Sequence, residues 1–287
     1  MYERAASVFL ESGCPNFYIS DSIKIENSVI NPDRYYCGVS LNSDPLFYKN
    51  VKDVIRKISS NTNLVGLVDS LCEDKTIDQF YLGSSIIQES LFYRAYFGKA
   101  QQERDSQTVK SATGYGFEWC SEAQDNLRVR QYDYLGEKTV ESVLSRMKEI
   151  KAPGVILKMV EAVFLKNKDA GVLNTLTSKC RESDRRSVDF KISGSIPMSD
   201  FLKYSKQISK FFYISESDLA SHLSKDCDVD RLQVSSYEGN KFSLGFYFAG
   251  RTVYNSNMSY EKGTLKNGKK RNRRFSKSKN KANRELQ

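Results

Sequence analysis

The alternation of residue types between Asn126 and Tyr134 is the clearest pattern in the chain. Leu127, Val129 and Gln131 fall on every second position, which is the period of a β-strand. A half-buried strand commonly has one apolar face and one mixed, solvated face. The second face here holds only cations and phenols, as a sheltered surface for an anion would. It consists of Arg128, Arg130, Tyr132 and Tyr134.

The same cation-and-tyrosine face recurs on other predicted strands. Arg34 shares a face with Tyr36, and Arg94 shares a face with Tyr96. Tight turns pair the strands as five antiparallel hairpins, and amphipathic helices lie between most of the hairpins. The predicted strands cover residues 18–26, 34–41, 79–85, 90–97, 114–120, 126–134, 172–178, 187–193, 232–237 and 242–248, and the predicted helices cover 46–58, 64–71, 139–150, 154–166, 198–213 and 217–225.

Ten antiparallel strands are many for an open twisted sheet, so we expect the sheet to close on itself. Helices would cover its apolar outer face. The pattern therefore predicts an α+β fold, a closed ten-stranded antiparallel barrel with helices outside and a lumen wide enough to hold a ligand. The residues expected to line this lumen are Arg34, Tyr36, Arg94, Tyr96, Arg128, Arg130, Tyr132, Lys191 and Tyr247.

Composition narrows the class of protein. A chain of 287 residues can bury a full core, and no apolar run approaches the roughly 20 residues of a membrane helix. The six cysteines are far apart and form no CxxC pair, and the chain has one histidine, His222. Both observations argue against a structural zinc site. No signal-peptide pattern begins the sequence. We therefore expect a monomeric cytoplasmic protein with reduced thiols, and a histidine-based catalytic triad is disfavoured.

The net charge of +9 is concentrated at the C-terminus. Eleven of the 44 Lys and Arg, but two of the 35 Asp and Glu, lie between Glu261 and Gln287, which leaves 33 of each in the first 260 residues. We predict one barrel domain over residues 1–255 and a basic, disordered tail over 256–287. The tail suits a polyanion, so a nucleic-acid-binding protein is an alternative function; a solubilising tail fits equally well.

Several cations inside a barrel would repel each other unless a strong anion lies between them. Arginine binds phosphate oxygens in pairs, and the ring face of tyrosine stabilises a carbocation. Together these groups suit a reaction in which a diphosphate leaves an allylic carbon. The alternatives are that the arginines and tyrosines face solvent outside, or that the chain is an interaction module without chemistry, since P-loop, Rossmann, HExxH and GxSxG motifs are absent.

Four segments carry a resemblance to a known family. They are Lys24-Ile-Glu26 followed by Arg34, Ser90-Leu91 leading to Arg94 and Tyr96, the Gly-Phe-Glu hairpin at Gly116, and the strand over 173–179. In this order they resemble the αββα-barrel (ABBA) prenyltransferases, closest to the cyanobactin-type prenyltransferases of ribosomally made macrocyclic peptides. The resemblance implies transfer of a dimethylallyl or geranyl group from its diphosphate to a peptide side chain, with Mg²⁺ bound through the donor. It assigns the diphosphate to Arg34, Arg94, Arg128 or Arg130, and Lys191, and the shielding of the allyl cation to Tyr36, Tyr96, Tyr132 and Tyr247.

The resemblance leaves the general base open among three residues. Tyrosine-modifying relatives use a glutamate in the first strand, where this chain has Ser20, with Asp21 beside it on the wrong face. Glu118 is a second candidate for the base or for binding the acceptor, and Glu26 in the first strand is a third. The acceptor side chain therefore stays open among arginine, tyrosine, tryptophan and Ser/Thr. The position that sets donor length falls on Thr175, and we expect no metal ligands in the protein itself.

Overall fold

Eleven strands form the centre of the structure, a computed structural model that describes residues 2–26, 28–42, 44–75, 77–87, 89–98, 113–122, 127–135, 138–180 and 184–255. Ten of them lie where the alternation predicts strands, most with longer ends, although the strand predicted over 126–134 begins at Arg128. They are β1 (Asn16–Glu26), β2 (Val29–Ser40), β3 (Gln79–Ile87), β4 (Ser90–Gly98), β5 (Thr113–Cys120), β6 (Arg128–Leu135), β7 (Gly171–Cys180), β8 (Arg186–Pro197), β9 (Asp228–Tyr237), β10 (Lys241–Phe248) and β11 (Arg251–Tyr254).

Helices fill the long connections between hairpins, as their apolar periodicity predicts. Polar side chains begin three of them: the Asn61 side chain accepts a hydrogen bond from a backbone N–H of the first turn, and Thr139 and Ser215 do the same. A 3-10 turn over Met198–Tyr204 replaces the first part of the helix predicted at 198–213. The helices are α1 (Tyr2–Glu11), α2 (Phe47–Ile58), α3 (Thr62–Glu73), α4 (Val140–Glu149), α5 (Gly154–Lys166), α6 (Ser205–Phe212) and α7 (Glu216–Leu223).

The sheet closes into a barrel. Each strand from β1 to β10 pairs antiparallel with the next, and β10 pairs with β1, where Ser22 lies opposite Tyr247 and Ile25 opposite Leu244. The first half of β1 pairs instead with the short strand β11, where Asn16 lies opposite Tyr254. The predicted α+β class, with a closed ten-stranded antiparallel barrel and helices outside it, is confirmed.

Apolar side chains lie outside the barrel, between its strands and the helices. One cluster packs α2 and α3 on β2 to β5, and a second packs α4 to α7 on β7 to β10. Fully buried aromatic rings such as Trp119 and Phe190 belong to these clusters, and each such ring stabilises the fold by about 1.5–3 kcal/mol. Because the outer face takes the apolar residues, the opposite face of every strand is left to polar and tyrosine side chains, which therefore line the lumen.

Two elements of the structure are not predicted from the sequence, and two predicted segments lie outside the described residues. Neither α1 nor β11 is predicted. In the case of β11 the reason is that its four residues are mostly exposed and show no apolar alternation. The polar connection predicted over 101–113 lies, up to residue 112, outside the described residues, as does the basic tail over 256–287. In the part of the chain that the structure describes, no helix has the length and apolar character needed to cross a membrane.

Candidate active site

Glycines in the barrel wall make room for tyrosine rings. A Cβ atom on Gly38 in β2 would overlap the ring of Tyr81 in β3, and one on Gly116 in β5 would lie 2.7 Å from the ring of Tyr132 in β6. Each ring therefore lies flat against the neighbouring backbone, which only glycine permits there. The sequence pattern of glycines on the inner face is thus what allows a wall of aromatic rings.

The tyrosine rings form a continuous inner surface. Tyr36 stacks on Tyr81 at 4.9 Å between ring centroids and meets Tyr247 edge-on at 6.3 Å. Tyr96 and Tyr132 meet edge-on at 5.6 Å. Burial raises the pKa of Tyr132 well above its ordinary value of 10.0 and also raises the pKa of Tyr247, so these phenols are neutral at physiological pH.

Two adjoining cavities lie inside the barrel. The larger has a volume of about 390 Å³ and is lined by Tyr18, Ser20 and Tyr254 from the end where β1 begins. The smaller has a volume of about 170 Å³. Tyr36, Tyr81, Lys191, Arg231 and Tyr247 line both cavities. Seven of the thirteen predicted site residues line the smaller cavity: Arg34, Tyr36, Arg94, Tyr96, Tyr132, Lys191 and Tyr247.

Glu118 stands at the centre of a buried cluster of arginines. Its Oε2 atom accepts hydrogen bonds from Arg94 Nε and from Arg130 Nη2, the latter at 3.1 Å, and Arg94 Nη1 also donates to Ser85 Oγ at 2.7 Å. Burial opposes ionisation of Glu118, but the Arg94 and Arg130 guanidiniums outweigh it and hold the pKa of that carboxyl well below its usual range. Arg128 reaches Glu118 Oε1 at 3.3 Å from outside, with its side chain 65% exposed.

A second ion pair lies at the same end of the lumen. Lys24 donates hydrogen bonds to Glu26 and, at 3.2 Å, to Tyr237, and the guanidinium of Arg185 lies 4.7 Å over the Tyr237 ring. Burial and the neighbouring arginines lower the pKa of Lys24 well below 10.5. Burial alone would raise the pKa of Glu26, but Lys24 and Arg185 lower it to about 2. An anion bound here would favour the charged form of Lys24.

The cations of this end exceed the carboxylates. Four guanidiniums (Arg34, Arg94, Arg130, Arg185) accompany two carboxylates, Glu26 and Glu118. Two buried nitrogens in the group, Arg34 Nη1 and Arg130 Nε, have no hydrogen-bond partner among the described residues. Arg34 also lies 5.7 Å over the ring of Tyr247, so its free nitrogen adjoins the tyrosine surface. Unpartnered buried N–H groups are rare, which points to an anionic ligand as the missing partner.

The other wall of the smaller cavity carries Arg231, Gln233 and Asp189. Arg231 lies about 6 Å over two rings, at 5.8 Å from the Tyr36 centroid and 6.0 Å from that of Tyr247. Gln233 donates to Asp189 Oδ2 at 3.2 Å. None of these three belongs to the predicted set, although Asp189 shares its predicted face with Lys191. Arg231 was missed because the predicted strand begins at Leu232; the alternation of Arg231 and Gln233 against Leu232 and Val234 would have extended it.

Several predicted site residues lie elsewhere. Asp21 is exposed on the outer face of β1, beside His222 and Asp226, because its neighbours Ser20 and Ser22 take the inner face. Thr175 is fully buried opposite Phe190 of the outer core, so its predicted place in the donor pocket is wrong; Asn174 and Leu176 line the cavity instead. Arg128 lies at the rim rather than in the lumen.

The environments of Glu118 and Glu26 argue against the base roles predicted for them. Both carboxylates are held by cations, and a carboxylate whose pKa is lowered is a weak base. They instead balance part of the charge of Arg94, Arg130 and Lys24. The predicted roles of the residues that do line the lumen stay predictions.

The described residues do not fit a resident Mg²⁺. They contain no group of three Asp, Glu, His or Cys side chains that could hold a metal ion. The two lumen glutamates are bonded to Lys24, Arg94 and Arg130, which leaves Mg²⁺ no free pair of carboxylates.

Comparisons with known proteins give a likeness of fold only. No protein-family model matches the sequence, and no curated protein matches it significantly. The structure of PriB with product diphosphate is 11% identical over 80% of this chain and 79% of that one, with a TM-score of 0.48. The 5-dimethylallyltryptophan synthase from Streptomyces coelicolor is 9% identical over 80% of both chains (TM-score 0.49), and AnaPT from Neosartorya fischeri is 10% identical over 84% of this chain and 80% of that one (TM-score 0.47).

A methyl group at Gly38 is expected to disturb the tyrosine wall. Gly38→Ala should lower the free energy of unfolding by about 1–3 kcal/mol, because the Tyr81 ring has to leave the strand and its stack with Tyr36. Gly66→Ala is the matched control, since Gly66 is exposed on a helix and a Cβ atom there would meet nothing within 4 Å. This variant should raise the free energy of unfolding by up to ~1 kcal/mol. Urea unfolding measures both. Equal stability of the two variants would contradict the close contact.

Proposed function

We propose that the chain is a prenyltransferase that moves an isoprenyl group from a diphosphate donor to a side chain of a peptide. The observation that carries this proposal is the surplus of buried guanidiniums next to a tyrosine surface inside a closed barrel. Arg34 supplies an unpartnered N–H group directly beside Tyr247 and Tyr36. An allylic diphosphate has the matching parts, a strongly anionic head and an apolar chain that becomes a carbocation.

Each part of the lumen has a role in this reaction. The guanidiniums bind the diphosphate and stabilise the negative charge that grows on the leaving oxygen as the carbon–oxygen bond breaks. The ring faces of Tyr36, Tyr96, Tyr132 and Tyr247 lie around the carbon skeleton and stabilise the allyl cation. Of these, the Tyr132 and Tyr247 phenols are neutral, since burial raises the pKa of both. The closed wall limits access of water to the cation.

The acceptor would enter through the larger cavity, at the end where β1 begins. That cavity joins the smaller one along Tyr36, Tyr81 and Tyr247, so an acceptor side chain would meet the donor across the tyrosine surface. A peptide, and a macrocyclic one in particular, is supported by the sequence resemblance alone. Dimethylallyl and geranyl diphosphates are both candidate donors. The chain is expected to act as a monomer in the cytoplasm.

Incubation with donors and a panel of cyclic peptides tests the proposal. The protein is mixed with dimethylallyl or geranyl diphosphate, with and without Mg²⁺, and with cyclic hexapeptides that each carry one tyrosine, tryptophan, serine or arginine. Mass spectrometry should detect a peptide that has gained one isoprenyl group, and the donor alone should raise the melting temperature. A cyclic peptide of alanine and glycine is the control. Neither a product nor a thermal shift with any donor would contradict the proposal.

A further inference from the structure

Asp189 has a buried oxygen that faces the lumen without a hydrogen bond. The residue is 6% exposed and lines the smaller cavity. Its Oδ2 atom accepts the Gln233 amide at 3.2 Å, whereas Oδ1 has no hydrogen-bond partner among the described residues. The nearest cation, Arg231, has its Nε atom 3.6 Å from Oδ1, beyond hydrogen-bond range.

A second acceptor atom without a partner lies on the next strand. Asn174 Oδ1 is buried and unpartnered within the described part of the chain, and it lines the same cavity. Asn174 pairs with Lys191, two residues along β8 from Asp189, so the two oxygens are diagonal neighbours on the inner face. Buried oxygens without donors are costly, and a ligand that brings N–H or O–H groups removes the cost.

The smaller cavity therefore carries unpartnered atoms of two opposite kinds. The unpartnered nitrogen of Arg34 is a hydrogen-bond donor and can bind an anion. The unpartnered oxygens of Asp189 and Asn174 are acceptors and can bind an N–H or O–H group. Glu118 and Glu26 differ from Asp189 in this respect, because cations donate hydrogen bonds to them, whereas Arg231 contacts Asp189 Oδ1 only as an ion pair at 3.6 Å. Asp189 is the lumen carboxylate whose oxygen is left for a ligand.

We propose that Asp189 is the base that receives the proton of the acceptor nucleophile, a nitrogen or oxygen atom that carries hydrogen. This inference rests on the proposed prenyl transfer. The carbon–oxygen bond of the donor breaks and its electron pair leaves with the diphosphate. A lone pair of the nucleophile forms the new bond to the allylic carbon, and its proton passes to Asp189 Oδ1 and then to solvent. Asn174 Oδ1 accepts a second hydrogen bond from the acceptor and orients it.

The surroundings of Asp189 suit a base. Burial raises the pKa of Asp189 above its ordinary value of 3.8, and the Arg231 guanidinium and the Gln233 hydrogen bond offset part of this rise. A carboxylate with a raised pKa is a stronger base. The activity should accordingly fall as the pH drops through this pKa. The titratable and polar groups that face Asp189 are Arg231, Gln233 and Asp230 from β9, Arg34 from β2, and Tyr247 from β10.

The variant Asp189→Asn tests the role, with Asp21→Asn as its matched control. Asp21 is also an aspartate whose pKa burial raises, but it lies on the outer face of β1. Asp189→Asn should bind dimethylallyl diphosphate within about threefold of the wild type by calorimetry and should transfer it to the cyclic peptides about 100-fold or more slowly. It should also lose the acid limb of the pH–rate profile. Asp21→Asn should keep the wild-type rate and profile.

Hydrolysis of the donor gives a second measurement that needs no peptide. Water is then the O–H nucleophile, and release of inorganic diphosphate should be at least tenfold slower in Asp189→Asn. Wild-type rates of transfer or of hydrolysis in Asp189→Asn would overturn the role of Asp189 while leaving prenyl transfer intact. Failure of the wild type to bind the donor would instead overturn the proposed function, and the inference with it.

Discussion

A Glu118→Gln variant is expected to lose about 3–5 kcal/mol of unfolding free energy. The change leaves the buried Arg94 and Arg130 without the carboxylate that both contact, and removal of one partner from a buried ion pair costs this much. Glu149→Gln is the matched control, because Glu149 pairs with Arg146 on the surface with its side chain 55% exposed. The control should lose less than about 1 kcal/mol. Denaturant unfolding at neutral pH measures both.

The same pair of variants separates charge balance from simple packing. Inorganic diphosphate should raise the melting temperature of Glu118→Gln more than that of the wild type, because an anion can replace the lost carboxylate. The pKa of Glu118 is lowered in the fold, so its charge stabilises the protein above the ordinary value of 4.5 and this contribution is lost as the pH falls below it. Glu118→Gln should therefore show a weaker loss of stability in acid. A variant as stable as the wild type, with equal response to diphosphate, would contradict the cluster.

Loss of Arg34 is expected to lower the affinity for the donor about 10- to 100-fold. Arg34 offers the free N–H group beside the tyrosines, and a hydrogen bond to a charged group contributes about 1.5–3 kcal/mol. Arg34→Ala is compared with Arg128→Ala, whose side chain is 65% exposed at the rim and should change the affinity less than about threefold. Calorimetric titration with dimethylallyl diphosphate gives both values. Equal losses in the two variants would place the diphosphate at the rim instead.

The fold was predictable because each strand carries its own two-residue alternation. Arg34 with Tyr36 and Arg94 with Tyr96 reach the lumen as that alternation requires, and the number of strands predicts closure. The strand limits were less predictable. Register shifts between β8 and β9 and between β9 and β10 break the alternation near Val229, and the predicted strand consequently starts after Arg231.

The site was only partly predictable because partners across strands do not show in one sequence. Glu118 was expected to be a base, but its register places it opposite Arg94 on one side and Arg128 on the other, which makes it a counter-ion. Asp189 looked like an ordinary polar position of a strand. Only the structure shows that Gln233 donates a hydrogen bond to one of its oxygens, while the other has no hydrogen-bond donor among the described residues.

The pairing of β1 with β10 makes ligand binding depend on closure of the barrel. Ser22 and Tyr247 lie opposite each other at this junction and both line the smaller cavity, although they come from opposite ends of the sequence. Closing a loop between residues so far apart in the sequence costs more chain entropy than a local contact does. A ligand in the cavity therefore binds only a barrel in which β1 and β10 are paired. By mass action it lowers the population of molecules in which this junction is open, so substrate supply and the stability of the closed barrel are coupled.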